Sequence, residues 1–592
     1  MPFLDVKMKN FAVYFDHDES TSLLFCLMRE GKIVGDERCP VYKDGSYSVF
    51  GTLENAYALK KHFKENWRVS ERYKNYVTKL YNTEKNFIAT AKKVKECKAR
   101  DEFDITYEFR NKPWKHQLLG FWLICNFRYV FLMWDLRTGK TFTVATAIDH
   151  LIKEKKLKRG VILSPFGIME SVWIRDVWIH TDLNGLALTK KNNNARIKLA
   201  RRNNITVPVE DGTFRLERGN PNYLVFNHDA LANKNIQKFI LNEYRPDFLV
   251  VDESHHFKNP SIKRTKGAIR ISEFIHDRNG LVVCLSGTPV TNDIRDIYSQ
   301  MSIVNRDVFN FPFTYFKLKY CVMHTFSRGS EMFVRAKNLP DLKKRISVRS
   351  HRVKIEDCHD MPEKNYSTEY VELSPEQRMY HDQFMEDLII ELRESGQSKI
   401  IETHTLNKFQ KIVQITGGYV YDNDGKVHYL QNNPKAERLL ELVQEIIKRH
   451  KVIIWTSYKP AIKIIRNLLS ANKIEFVELT TLSEMDRNIV DFKFQNTKVR
   501  VLLATPALSE GKNLSEASYS IYYDNNFMFA PRHQSEGRIY TPESLKHKKV
   551  FYIDLVAKNT VDEIILKAIK RKGDLNAVVT AKEFIRIGKK MI

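Results

Sequence analysis

The sequence predicts an α/β protein: two parallel-sheet domains in series, helical protrusions between them and a small α+β unit ahead of them. Three observations predict this. Short β-rich apolar runs, each ending in a polar or small residue, recur in two clusters at about 115–300 and 430–575. Helical patterns separate the runs, as the crossovers between parallel strands buried on both faces require. Finally, 592 residues exceed what one core supports, because single cores stop growing near about 250–300 residues.

Residues 1–105 form the accessory unit, expected to serve DNA binding or targeting. There "NFAVYFD" and "SLLFCLM" suggest strands of a small sheet, and a Lys-rich helical pattern runs from about 53 to 98. Residues 106–300 carry the first cluster, "YVFLMWD", "GVILSP", "YLVFNH", "FLVVDES" and "LVVCLSG". Residues 301–373 are basic and aromatic and read as a helical insertion and hinge. Residues 374–430 open with "SPEQRMY", a helix-cap signal, and read as a helical protrusion of the second domain. Residues 431–578 carry "VIIWTS", "VRVLLATP", "YSIYYDN" and "KVFYIDL", and 579–592 form a basic tail.

Net charge is +25, from 96 Lys and Arg against 71 Asp and Glu. That excess predicts a polyanionic partner, most simply nucleic acid. Seven cysteines lie far apart with no C-x-x-C pair, which argues against a zinc ribbon or disulfide framework and for a reducing compartment. The first residues lack a signal-peptide pattern, and the apolar stretch 118–134 is interrupted by Asn126 and Arg128, so no membrane span is expected. A cytoplasmic monomer is expected, in a host cytoplasm if the source is viral.

Chemistry concentrates at strand ends, where parallel sheets place ligands. The stretch "FLMWDLRTGKTF" ends in Gly139, Lys140 and Thr141, the close of a phosphate loop, and sits between a strand and a helix. Lysine reaches the outer phosphates and the threonine hydroxyl holds magnesium, yet Trp134 stands where the general pattern wants its first glycine. Asp252 ends the strand "FLVV" and can hold magnesium; Glu253 beside it can orient and deprotonate water. Ser286, Gly287 and Thr288 follow a further strand and can hydrogen-bond the acidic strand end. Gln117, just upstream of the loop, carries an amide that matches the donor and acceptor edges of adenine. In the second domain Gln534 and Arg538 follow a strand, and an arginine offered by a second domain stabilises the charge of phosphoryl transfer.

In order, "HQ", "TGKT", "SPFGIMESVW", "DESHHFKN", "SGTPVTND", "VELSPEQRMY", "EGKNLSEA" and "QSEGRIY" resemble the superfamily II helicase-like ATPases, and within them the Swi/Snf-type DNA translocases, over about 113–575. The resemblance implies two RecA-like lobes that bind ATP and Mg2+ between them and move on double-stranded or branched DNA without reading sequence. It assigns Leu136, Arg137, Thr138 and Gly511 to the nucleotide site together with Gln117, Gly139, Lys140, Thr141 and Arg538. It makes Ser286, Gly287, Thr288 and Gln534 coupling residues. It sets Ser164, Pro165, Asn227, His228, Thr505, Pro506 and Asn513 against DNA phosphates, with basic tracts 335–354 and 567–572 as added contacts. In that branch the loop resembles D-E-M-G-L-G-K-T, which also lacks the first glycine, so Trp134 is compatible with the site.

Two departures stand out. Arg137 occupies a position where the family commonly has glycine, so a strained backbone is expected there. Thr541 replaces a second arginine, which implies slower hydrolysis or a substitute such as Arg532 or a nearby lysine. The rival readings are a strand-separating or annealing helicase on forked or branched DNA, and a non-hydrolysing nucleic-acid-binding scaffold. A protein partner would engage the N-terminal unit. The lack of any chromatin-reading module suits a phage, viral or bacterial setting.

Overall fold

The computed structural model describes residues 3–7, 10–14, 46–63, 68–99, 102–209, 213–291, 293–325, 331–358, 360–394, 411–422, 424–480, 484–506, 514–525 and 529–570, with isolated positions between 24 and 41. The N-terminal unit is a four-stranded sheet of β1 (Phe3–Lys7), β2 (Asn10–Tyr14), β3 (Tyr47–Phe50) and β4 (Arg68–Val69), with helices α1 (Leu53–Phe63) and α2 (Glu71–Lys98). β2 realises the run "NFAVY". Of the second run, expected as a strand, the described positions Leu24, Leu27 and Met28 are helical, with Leu24 and Leu27 buried at helical spacing. The hydroxyl of Ser70 caps α2 by accepting from Tyr73 N at 2.9 Å.

Lobe 1 holds β5 (Tyr129–Trp134), β6 (Gly160–Ser164), β7 (Gly185–Ala187), β8 (Tyr223–Asn227), β9 (Phe248–Val251), β10 (Leu281–Leu285) and β11 (Ser350–Val353). They form one seven-stranded sheet in the order β11-β5-β10-β9-β6-β8-β7, every pairing parallel. Alternate residues feed two separate cores. Phe131, Leu163, Phe226, Val251 and Cys284 face one; Leu132, Ile162, Val225, Val250 and Val283 face the other. Burial on both faces explains why these strands read as continuous apolar runs. The helices that position the site are α3 (Lys115–Phe127), which precedes β5, and α4 (Lys140–Lys153), which follows it.

Lobe 2 repeats the plan with β12 (Glu363–Val371), β13 (Lys451–Trp455), β14 (Phe476–Leu479), β15 (Val501–Ala504), β16 (Ala517–Tyr522) and β17 (Lys549–Ala557), in the parallel order β12-β17-β16-β13-β15-β14. Val452, Ile454 and Leu503 face one core, and Ile453, Trp455 and Leu502 the other.

The segment 301–373 differs from the helical hinge expected. It carries short helices, including Phe313–Tyr320 and Leu339–Ser347, and an antiparallel hairpin of Cys321–Thr325 with Glu331–Ala336. It then supplies β11 to lobe 1 and β12 to lobe 2, leaving only 354–362 between the two sheets. Both strands lie at sheet edges and keep one side polar, so neither shows an apolar run. No helix among the described residues is long and apolar enough to cross a membrane.

The N-terminal unit is bolted to lobe 1 through this insertion. Phe50 and Phe87 join a lobe 1 core, Phe50 meeting the Tyr315 ring at 5.6 Å between centroids. Arg345 pairs with Glu84 at 3.0 Å, and Lys98 Nζ donates to Ser347 O at 2.9 Å and Ser350 O at 2.6 Å. Emptying the Phe87 site should therefore destabilise the docking of α2. Phe87→Ala is expected to cost about 3 kcal/mol in denaturant unfolding followed by tryptophan fluorescence; a loss under about 1 kcal/mol would mean that α2 does not depend on this core.

Candidate nucleotide site between the lobes

The phosphate loop spans Asp135–Gly139, between the last residue of β5 and the first of α4. Trp134 is fully buried, its ring pressed onto Gly120 of α3, where an added Cβ would come within 2.6 Å of the indole. The indole Nε1 donates to His351 Nδ1 at 3.1 Å. A side chain is thus tolerated at this position because it points into the lobe, and Gly120 supplies the room. The Trp134 carbonyl instead faces the loop and, with Asp135 O, accepts from Lys140 Nζ, each at 3.0 Å.

Gly139 has φ 78°, and a Cβ there would lie 2.1 Å from Gln117 Nε2. That left-handed turn demands glycine. Gln117 is buried at the start of α3, where its Oε1 accepts from Trp114 N at 3.0 Å and its Nε2 donates to Thr138 O at 3.2 Å. His116 Nε2 donates to the same carbonyl at 2.8 Å. The side chain expected at adenine therefore also latches the loop to α3. Arg137 adopts φ 65°, the strained left-handed backbone that a side chain other than glycine makes costly.

Asp252 closes β9 beneath the loop. Its Oδ2 accepts from Trp173 Nε1 at 2.8 Å and its Oδ1 from Glu253 N at 3.0 Å. Burial, then the charge of Glu253, pushes the Asp252 carboxyl up. Burial alone would also raise Glu253, but the hydrogen bond and charge of His255, followed by Lys140 and Arg538, outweigh it and hold that carboxyl down. Burial lowers Lys140, against the opposing pull of Glu253, Asp252 and Asp135. The acids and the lysine thus sense one another across the strand ends of β5 and β9.

Glu253 sits at φ 45° and leads a short turn, Ser254–Phe257. His255 Nδ1 lies 3.3 Å from Glu253 Oε2 and 3.2 Å from Ser286 Oγ, which in turn accepts from Thr288 N at 3.2 Å. Gly287 backs the loop closely, so that a Cβ would stand 3.4 Å from Trp134 O. Ser286, Gly287 and Thr288 therefore connect the acid pair to the loop, the arrangement proposed for coupling. Among the described residues no group of three or more His, Cys, Asp or Glu could hold a metal alone. The Thr141 hydroxyl and the Asp252 carboxyl are hard oxygen donors that fit magnesium shared with phosphate oxygens and water. A divalent cation would also relieve the raised Asp252.

Lobe 2 closes the site. Arg538 is buried, and its charge acts on both Lys140 and Glu253. Gly537 lies against the loop itself, where a Cβ would come within 3.0 Å of Leu136 Cδ1. Gln534 is buried in the preceding helix, α5 (Phe529–Glu536). Asp135 Oδ2 accepts from Ile355 N at 3.2 Å, tying the loop to the connection between the lobes.

Arg532, offered as a substitute for the second arginine, is held within lobe 2. It pairs with Asp554 and, at 2.6 Å, with Glu536, and it stacks 3.4 Å over the Tyr522 ring. These partners occupy the guanidinium within lobe 2. Thr541 is fully buried, its Oγ1 3.1 Å from Ser544 Oγ at the start of a short turn, so it faces lobe 2 and not the cleft.

The expected DNA contacts divide. Ser164 and Pro165 are buried, and His228 is turned inward, where its Nε2 donates to Asp252 O at 2.8 Å. With these side chains buried, the phosphate contact expected at these positions is left to the backbone of the strand-end loops. Asn227 is half-buried and accepts from Arg196 at 2.9 Å; Thr505 and Pro506 are half-buried at the end of β15. Gly511 and Asn513, and positions 571 and 572 of the second basic tract, lie outside the described residues. Sequence reasoning assigned no role to Trp173, His255 or Asp135. Only their positions within or beside quoted motifs hinted at them.

The family model of the SNF2-related domain matches residues 118–416, and that of the helicase conserved C-terminal domain matches 434–541. The chain is 26% identical over 336 residues to an uncharacterized ATP-dependent helicase of Mycoplasma genitalium, covering 55% of this chain and 30% of that protein. It is 24% identical over 341 residues to the putative ATP-dependent helicase/translocase YwqA of Bacillus subtilis, covering 57% and 36%. It is 22% identical to putative protein p41 of the Acyrthosiphon pisum secondary endosymbiont phage 1, covering 78% and 95%. The Sulfolobus solfataricus SWI2/SNF2 ATPase core in complex with dsDNA aligns with 20% identity and a TM-score of 0.36 over 82% of this chain and 97% of that one. The chain thus spans about a third of the length of the first two relatives.

Two loop substitutions should act in opposite directions. Gly139→Ala forces a side chain into both a left-handed turn and Gln117, and should lower the thermal midpoint and weaken nucleotide binding. Arg137→Gly relieves about 1–2 kcal/mol of left-handed strain against about 0.5–1 kcal/mol of added chain entropy. Its midpoint should match or slightly exceed the wild type in calorimetry, and a clear fall would show that Arg137 is not strained.

Proposed function

The chain belongs to the SNF2-related family, and on that premise we propose that it hydrolyses ATP between its two lobes to translocate on double-stranded DNA, or to remodel DNA or protein–DNA complexes. The observation that carries this reading is the convergence of Lys140, Asp252 and Glu253 from lobe 1 with Arg538 from lobe 2, whose charge reaches Lys140 and Glu253 beside the contact of Gly537 with Leu136.

In this reading, Lys140 leaves the carbonyls of Trp134 and Asp135 for the outer phosphates of ATP, which lie over the N-terminus of α4. Thr141 and Asp252 would hold Mg2+, which would neutralise phosphate charge. Glu253, kept ionised by His255, Lys140 and Arg538, orients the attacking water and takes its proton. Arg538 lies against the charge that develops on the transferred phosphoryl group. His255 and Ser286 carry the state of Glu253 toward Thr288 and Gly287, and so to the loop. Asn227, Thr505 and Pro506 meet the DNA backbone at strand ends, a contact independent of sequence and sensitive to salt. The net charge of +25 supports this partner.

Steady-state hydrolysis without nucleic acid and with single-stranded, duplex and forked DNA and RNA tests the reading. Duplex DNA should stimulate most; stronger stimulation by forks or single strands would favour a strand-separating helicase, and bound but unhydrolysed ATP a scaffold. Glu253→Gln should slow hydrolysis about 10²- to 10⁴-fold while still binding ATP.

Arg538 and Arg532 should separate by kind of defect. Arg538→Ala should lower kcat by about 10³-fold with little change in melting. Arg532→Ala leaves Asp554 buried without its partner and should cost about 3–5 kcal/mol of lobe 2 stability. A stable Arg532→Ala protein with a hundredfold lower kcat would return Arg532 to the nucleotide.

A further inference from the structure

Helix α2 buries Tyr73, Leu80, Phe87 and Val94, spaced by seven, together with Cys97, so one side of its 28 residues faces the protein. Its outer face carries Lys74, Lys79, Lys85, Lys92, Lys93 and Lys95, all exposed, along with Arg72. The acids on that face are Glu71 and Glu96, at its two ends; Glu84 is turned toward Arg345. Lys74 is offset by Glu71 at 3.2 Å, whereas the other five lysines form no ion pair with an acid among the described residues. Exposed Asn75, Asn82 and Asn86 add neutral donors, and Tyr81 and Ile88 stand 49% and 61% exposed within the same face.

From this face we infer that α2 is a second phosphate-backbone contact for duplex DNA, separate from the strand-end loops of the lobes. The inference rests on the motor reading above but adds a site to it. Lys92, Lys95 and Lys98 follow one another at i,i+3, a spacing at which like charges destabilise an isolated helix. Lys98 is satisfied by the carbonyls of Ser347 and Ser350; the others point away from the protein. Lys74 and Lys95 are separated by about 31 Å at 1.5 Å per residue, close to one turn of a duplex at about 34–36 Å. A broad cationic face of that length suits a polyanion bearing one charge per about 1.7 Å of its axis. Lysines and asparagines grip phosphates without reading bases.

The row is also held rigidly. Phe87 in the lobe 1 core, the Glu84–Arg345 pair and Lys98 on the carbonyls beside β11 make α2 part of the lobe 1 body. DNA bound there stays with lobe 1 whatever lobe 2 does, so the contact retains the track without taking part in hydrolysis.

Fluorescence anisotropy of a 30-base-pair duplex with the full chain, over about 50–200 mM salt, tests the inference on Lys85→Gln/Lys92→Gln/Lys93→Gln/Lys95→Gln and on the fourfold arginine counterpart. Each phosphate contact contributes about 0.9 to the slope of log affinity against log salt. The glutamine variant should lose about 3–4 from that slope and bind more weakly at low salt. The arginine variant should keep the wild-type slope, and hydrolysis without DNA should be unchanged in both. Identical slopes for glutamine variant and wild type would overturn the inference, leaving a solvated face or one that meets a protein. No duplex binding by the wild type would overturn both this contact and the motor reading. A lost slope in a protein whose hydrolysis DNA does not stimulate would uphold the contact and sink the motor.

Discussion

The ammonium of Lys140, buried with its hydrogen bonds to Trp134 O and Asp135 O, is the interaction on which the rest of the cleft depends. A charge in that position needs counter-charges nearby, and Asp252, Glu253 and Asp135 provide them. The carboxylates in turn are expensive to bury together, and the structure divides the cost unequally. Asp252 is driven toward its neutral form while His255 and the surrounding cations keep Glu253 ionised. Two neighbouring acids thereby acquire different chemical characters: Glu253 stays a carboxylate, and Asp252 holds a proton more readily unless a cation takes its place.

The same loop also organises the molecule at large scale. Asp135 touches the connection between lobes through Ile355, Leu136 touches Gly537, and Trp134 reaches His351 on β11. β11 follows directly on the insertion where the N-terminal unit docks through Lys98 and Glu84. Three parts of the chain far apart in sequence therefore meet within a few residues of the phosphate loop. Their junction is made from the Asp135 carboxylate, the Trp134 indole, the close approach of Gly537 and Lys98 on backbone carbonyls.

Much of this was legible in the sequence for a physical reason. Parallel strands buried on both faces write themselves as apolar runs, and the polar residue that ends each run marks a ligand-facing edge. Asp252, Glu253 and Ser286 were singled out by that rule, and Lys140 by the Gly-Lys-Thr that closes the phosphate loop. β11 and β12 were missed because edge strands have one wet side, and "SHRV" and "EKNYSTEYV" read as hinge. The burial of Ser164 and His228 was missed because a strand end shows where the backbone stops, whereas the following turn decides which way the side chain faces. Arg532 illustrates the converse: a charge beside a motif offered itself as a stand-in for the second arginine, and Asp554, Glu536 and Tyr522, brought together by the fold, engage it instead within lobe 2.

The chain crosses between the lobes through nine residues, 354–362, from the end of β11 to the start of β12. Fully extended, such a segment reaches only about 30 Å, at about 3.3–3.6 Å per residue. Lobe 2 is therefore a reagent on a short leash. However far the cleft opens, Arg538 stays within a small volume around Glu253, at an effective concentration of the millimolar order expected for short tethers. Any reclosing is then an intramolecular search, independent of protein concentration, and on the proposed reading nucleotide could exchange through an open cleft without Arg538 being lost to it.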